Sequence, residues 1–351
     1  MNKNEQEIFK FRVNQIKEYL ARQISVDNAV ELAKQIVTGA EGGNEFGKNN
    51  FDSWLSDRFI PQLVWLSSDD YTRGITRALP QALRFTGSDF GSAKQRDFGQ
   101  LWMDTTRGLL GEIAVQKFFK DKLNTEIELD TSIDQNLDDY ITTDIKFVKE
   151  SSGAYRNARI NTSIKTGKFN ARWLDEYSAT KINKIDVFIF VRLGMPKEHF
   201  IAYLKNISFL RDKLIPRAIE IGEITNELSL GLWNAIPNFE LIPAYVVGFL
   251  AKQNLQQPIH SITLEIKGKP DYQRGDTTKD TRKIYIKKGI GIFTKNNVCA
   301  RPEFQQLNVP DSLPILIAGI EKQIDNKEHF YANTGSFDYG MEKWQCFAHI
   351  L

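Results

Sequence analysis

The strongest constraint on the fold is the order in which the apolar period changes between residues 102 and 193. WMDTTRGLLGEIAVQKFFKD (102–121) carries Leu109, Ile113 and Phe118 at helical spacing, and EIELDT (126–131) then reads as a short strand. YITTDIKFVKE (140–150) and ARINTSIKTGKF (158–169) are strand-like runs joined by SSGAYRN, whose glycine and polar residues suit a hairpin connection. ARWLDEYSATKIN (171–183) reads as helix, and DVFIFVRL (186–193) is an apolar, β-rich run of the kind found in buried strands. The order is helix, three strands, helix, strand.

Either side of this stretch the pattern differs. Residues 4–40 show two helical segments, the second starting where Ser25 and Asp27 can cap it. GAEGGNEFGKNN (39–50) and SDFGSAKQRDFG (88–99) read as loops, and Trp54–Leu83 as helix broken at Pro61 and Pro80. Beyond 193 a helix is expected near 205–221, followed by strands at 262–269 and 283–293. This divides the chain into a helical region (1–100), an α/β core (101–245) and a mixed region (246–351). The expected class is α/β, or α+β, with a central mixed sheet of roughly four to five strands flanked by helices. A chain of 351 residues has room for one or two cores, and 41% hydrophobic with 26% charged residues is a globular composition.

Charge and cysteine content narrow the function classes. Lys and Arg exceed Asp and Glu by 46 to 44, so any nucleic-acid surface must arise from local clustering. Two cysteines, Cys299 and Cys346, make no disulfide framework, and a reducing cytoplasm is the expected location. The N-terminus has no apolar signal core and no run is long enough to span a membrane. Four scattered histidines exclude HExxH chemistry, and neither GxxxxGK[ST] nor GxSxG occurs.

If 140–150 and 158–169 pair antiparallel with the tip near residue 153, Asp144 falls opposite Ser163 and diagonal to Lys165. All three then share a face that Glu112, from the preceding helix, can meet. Two carboxylates at close range bind Mg²⁺, which lowers a water's pKa and stabilises charge on a phosphate under in-line attack, while a lysine supplies positive charge or orients the water. Each residue alone also has an ordinary reading as a solvated or ion-paired side chain.

This constellation, on this element order, resembles the PD-(D/E)xK nuclease superfamily, to which most type II restriction endonucleases belong. The resemblance covers residues 102–193 and implies a restriction-endonuclease-like core, Mg²⁺ as cofactor, and hydrolysis of double-stranded DNA. Carried over by position, the strand Asp is Asp144, preceded by Thr143 instead of Pro; the Lys is Lys165; and the helix Glu is Glu112 in RGLLGEIAVQKFF. Ser163 stands at the acidic position of the (D/E)xK half-motif. Some restriction enzymes carry SxK there and take the missing acid from the following helix, which implies Glu176, or Asp175, as the replacement. The metal set is then Asp144 with Glu112, Glu176 or both. A competing register takes Asp144-Ile145-Lys146 as the (D/E)xK with Asp138 or Asp139 as first acid. Glu265-Ile266-Lys267 also fits the tripeptide, but no Asp lies between Glu240 and Glu265 to partner it.

Phosphate contacts are expected from Arg156, Arg159, Lys168, Arg172, Lys181 and Lys184, and base contacts from Arg274, Lys295, Asn296 and Asn297 on a second-region hairpin entering the major groove. A palindromic target would call for a two-fold homodimer. Against the restriction-enzyme reading stand a structure- or damage-specific repair nuclease of the same superfamily and a non-catalytic DNA-binding protein.

Overall fold

The computed structural model describes residues 3–39, 48–85, 97–131, 143–150, 152–176, 179–270, 272–274 and 277–351. Much of the two stretches expected as loops, and Asp138 and Asp139, lie outside the described residues. The chain opens with helices α1 (Lys3–Leu20), α2 (Val26–Gly39) and α3 (Lys48–Ser53), then a π-helical turn over Trp54–Phe59.

Next comes a departure from the sequence reading. Residues Leu63–Leu66 form strand β1, not helix, because LVWL supplies a short buried run that pairs antiparallel with a strand nearly 180 residues later. Pro80 does not end the following helix, α4 (Ser68–Phe85). Tyr71, Ile75, Ala78 and Ala82 form its buried stripe along the next helix, and Trp102 Nε1 donates to Ile75 O at 2.8 Å one turn before the proline. Tertiary packing here outweighs the local cost of a missing N–H.

Helix α5 (Phe98–Leu123) is capped at its start by Asp97, whose side chain accepts from Gln100 N, and stops at Asn124 in the left-handed region. It feeds strands β2 (Ile127–Leu129), β3 (Ile145–Lys149), β4 (Tyr155–Asn157) and β5 (Thr162–Lys168). Gly153, at φ +86°, makes the turn between β3 and β4 where the tip was expected. The pairing beyond it differs from a single long hairpin. β3 pairs with β2 and with β4 (Val148 opposite Arg156), whereas β5 lies parallel to a later strand.

A second departure follows. The 171–183 segment, expected as helix, is strand β6 (Trp173–Glu176) followed by a short helix α6 (Ala179–Lys184). β6 pairs with a strand near residue 330, and its alternation sends Trp173 into one core and Leu174 into another. That placement is available only to an extended segment.

Strand β7 (Val187–Leu193), buried at every position, is followed by α7 (His199–Asn206), a π-helical turn (Leu210–Leu214), α8 (Ile215–Glu220) and α9 (Asn226–Ala235) before β8 (Ile242–Ala251). The remaining elements are α10 (Lys252–Leu255), β9 (His260–Lys267), β10 (Tyr272–Arg274), β11 (Thr277–Lys279), β12 (Lys283–Phe293), α11 (Lys295–Cys299), α12 (Pro302–Gln305), β13 (Ile315–Ile317), β14 (Lys322–Gln323), β15 (His329–Asn333) and α13 (Met341–Ile350).

The protein is a mixed α/β structure. One sheet runs β1-β8-β7-β5, with β5 parallel to β7 and the rest antiparallel; β2-β3-β4 form a separate sheet, linked to β5 by the Asp144 N–H on Thr162 O. A six-stranded sheet, β14-β13-β12-β15-β6 with β9 also on β12, packs its own core. The first sheet thus draws on residues 63–66 and on 242–251, outside or across the limits of the 101–245 segment. No helix among the described residues is long and apolar enough to cross a membrane.

Helix α5 covers one face of the first sheet, where Leu110, Ile113 and Ala114 meet Ile164, Ile189 and Val191. The approach is closest at Gly111, where a Cβ would stand 1.8 Å from Thr166 Oγ1 and 3.0 Å from Thr166 Cβ. Gly111→Ala is therefore expected to cost about 1–3 kcal/mol by overpacking, read as a lowered midpoint in urea unfolding. Thr166→Ala in the same chain should recover only part of it, because a β-carbon remains in the way.

Candidate functional site

Asp144 sits immediately before β3, where that strand leaves β4 and meets β5. Its backbone N–H donates to Thr162 O at 2.8 Å, and its Oδ2 accepts from Ile164 N at 2.5 Å. Thr143 reinforces the junction, its hydroxyl oxygen accepting from Thr162 N at 3.0 Å and its O–H donating to Ile145 O at 2.9 Å. Asp144 therefore lies beside Ser163, flanked by bonds to the residues before and after it. A backbone ladder offset between β4 and β5, not a continuous register, brings them together.

The faces of β5 decide which other side chains join. Ile164 and Thr166 point to α5, so Ser163 and Lys165 point to the opposite face, which is also that of Phe188 and Phe190 on β7. There Lys165 Nζ meets Glu176 Oε2 at 2.6 Å. Glu176 is buried and Lys165 is about a quarter exposed, at 24% of its side chain. Glu176 reaches Lys165 from a strand, not from a helix. Ser163 is itself buried.

Glu112 projects from α5 on the other side of β5 from Lys165, and its carboxylate lies 3.7 Å from the Arg77 guanidinium of α4. Arg77 also donates to Asp130 O at 3.1 Å, just past the end of β2. Asp130 N donates to Asp144 O at 3.0 Å, and Asp130 Oδ1 lies 3.6 Å from Lys146 Nζ. Glu112, Arg77, Asp130, Lys146 and Asp144 form a linked series where α4 and α5 meet the β2–β3 edge. Lys146 occupies an irregularity in the β2–β3 register, which steps from Glu128 opposite Phe147 to Leu129 opposite Ile145. Sequence reasoning missed Arg77 and Asp130. The available signal was the Asp closing EIELD, one strand before Asp144-Ile145-Lys146.

Among the described residues no three His, Cys, Asp or Glu side chains stand together closely enough to hold a metal ion. Mg²⁺ needs only one or two carboxylates, completing its shell with water and phosphate. Asp144 and Asp130 are backbone-bonded neighbours, each carrying one carboxylate.

The proposed DNA contacts are scattered in their surroundings. Arg156 is half-buried, 3.3 Å from Glu150 and donating to Leu351 O at 3.1 Å; Arg159 is exposed, with its backbone N–H on Leu351 O. Lys168 and Lys184 are exposed. Arg172 donates to Thr38 O at the end of α2, and burial pulls its guanidinium below the usual arginine pKa. Arg274 lies on β10 and Lys181 on α6, with side chains outside the described residues. Lys295, Asn296 and Asn297 are not at a hairpin tip: β12 ends at Phe293 and Thr294 caps α11, accepting from Asn297 N at 3.1 Å. Asn297 Nδ2 is turned back to Ile292 O. On β9, burial alone would raise the Glu265 carboxyl, but Lys287 at 3.1 Å and Lys267 at 3.5 Å outweigh it and hold it below the usual range. Glu265-Ile266-Lys267 is thus a cross-strand ion-pair group. No protein-family model, curated protein or solved structure matches the chain.

Proposed function

We propose that the protein is a Mg²⁺-dependent endonuclease of double-stranded DNA, and within that class a site-specific restriction enzyme of type II. The observation that carries this reading is Asp144, held by Ile164 N at the junction of two strands with basic and acidic side chains on either side of it. The element order supports it: α5, β2, β3, the interrupted β4/β5 strand, β6 with α6, and β7 parallel to β5. The agreement with the order expected of the PD-(D/E)xK core is partial: strand β6 takes most of the place of the second helix, and β2-β3-β4 form a sheet apart from β5 and β7.

Two arrangements of the site follow. In one, Asp144 acts with Lys165, Ser163 and Glu176. In the other, Asp144-Ile145-Lys146 is the half-motif, with Asp130 and Glu112 as the further acids; the linked series from Glu112 to Lys146 favours it, since Glu112 and Lys165 lie on opposite sides of β5. Bound Mg²⁺ would supply charge stabilisation at the scissile phosphate and a lowered water pKa. The protein's own part is to hold Asp144 rigidly and to keep one ammonium beside it.

Digestion of plasmid DNA of known sequence tests the proposal. Discrete fragments with Mg²⁺ and none with EDTA are expected; a smear, or cutting only at junctions or lesions, would replace sequence recognition with a repair activity. The absence of cleavage on any DNA would leave a binding protein.

A further inference from the structure

Residues 194–241, between β7 and β8, carry an arm whose outer part is built unlike the rest of the chain. Helices α8 and α9 bury no residue at all. Of the 15 large apolar side chains that stand exposed among the described residues, seven fall within this one segment: Ile207, Phe209, Leu214, Ile221, Leu228, Leu230 and Leu232. Leu228 and Leu232 are four apart and share a face of α9, while Leu230, 66% exposed, lies on the far side. A ten-residue helix is marginal in water unless an apolar face is buried, and α9 has no buried face. Its end is tethered by Lys205, which donates to Ile236 O at 2.6 Å and stands 5.1 Å from the Trp233 ring. Nearly half of the exposed large apolar side chains thus fall on the stretch 207–232, a concentration that scattered surface residues do not give and that marks an interaction site.

The charge order along the arm selects the occupant. Residues 210–217 carry Arg211, Lys213 and Arg217 against Asp212, three minus one, or +2; residues 220–227 carry Glu220, Glu223 and Glu227, or −3. The Arg217–Glu220 pair, 2.7 Å apart and two-thirds exposed on both sides, uses little of this. A segment basic in its first half and acidic in its second is complementary to itself when two copies run antiparallel about a two-fold axis. Nucleic acid and anionic membrane fit worse, because the segment's net charge is negative. Residues 207–235 also supply about the 20–30 residues a side that a stable interface uses.

We infer that the α8–α9 arm is a homodimer interface, packing antiparallel on the same arm of a second copy with Leu228 and Leu232 of α9 at its centre. This stands independently of the nuclease reading. Sedimentation equilibrium of the full chain should give twice 40.3 kDa at micromolar concentration. Leu228→Glu and Leu232→Glu together should raise the dissociation constant at least about 100-fold, with an unchanged circular dichroism spectrum outside the arm's small share.

Charge reversal tests the antiparallel order. One variant carries Arg211→Glu and Lys213→Glu, a second Glu223→Lys and Glu227→Lys. Each alone should be monomeric, and mixing the two should restore a dimer. A monomeric parent up to about 100 µM, a dimer indifferent to the leucine changes, or no restoration on mixing would each overturn the inference.

Discussion

Asp144→Asn is expected to lower Mg²⁺-dependent DNA cleavage by about 10²–10³-fold, with little change in stability. The two effects separate because the carboxylate has two tasks. One oxygen accepts from Ile164 N at 2.5 Å, and an asparagine carbonyl can still do so. The negative charge cannot be replaced, and losing electrostatic stabilisation worth about 3–4 kcal/mol corresponds to two to three orders of magnitude in rate. Asp144→Ala should add a structural loss of about 1–3 kcal/mol, because the buried Ile164 N–H is then left without its acceptor. Initial cleavage rates and urea midpoints, measured on both variants, check this. An asparagine variant that cuts as fast as the parent would remove Asp144 from the chemistry.

The second large effect divides the two lysines. Lys165→Ala leaves Glu176 a buried carboxylate deprived of its ammonium at 2.6 Å. Breaking a fully buried pair costs about 3–5 kcal/mol; with Lys165 a quarter exposed, water reaches the site and the expected loss is about 2–3 kcal/mol. Replacing both partners by methionine should recover most of that loss, since two apolar side chains leave no charge to solvate. Lys146→Ala removes the 3.6 Å contact with Asp130 and a 5.8 Å approach to the Phe147 ring, from a lysine whose side chain is 46% exposed, and should stay within about 1 kcal/mol of the parent in stability. Its cleavage rate is expected to fall by about 10²-fold or more, the scale of one lost electrostatic stabiliser. If instead the folded Lys165→Met, Glu176→Met pair loses cleavage and Lys146→Ala keeps it, the Lys165 arrangement is the working one.

Much of the architecture is readable from residue order because it rests on local periodicity. The stripe through Leu109, Ile113 and Phe118 points to a helix, the apolar run 187–191 to a buried strand, and SSGAYRN provides the glycine that turns at φ +86°. The neighbourhood of Asp144 and Ser163 does not follow from hairpin register: the β3–β4 pairing, with Phe147 opposite Asn157, would set Asp144 opposite Ile160, and the offset between β4 and β5 brings Ser163 beside it instead.

What tertiary structure alone decided depends on partners remote in sequence. WLDE is a strand because β15, more than 150 residues later, offers it a ladder, and LVWL because β8 does. Local propensity carries neither fact. The side of the sheet on which each charge lies has the same origin. Gly111 admits α5 against Thr166, which commits Ile164 to that face and sends Lys165 to the other, towards Glu176 and away from Glu112. Period-two alternation fixes that Ser163 and Lys165 share a face, but only the packing of α5 says which face it is.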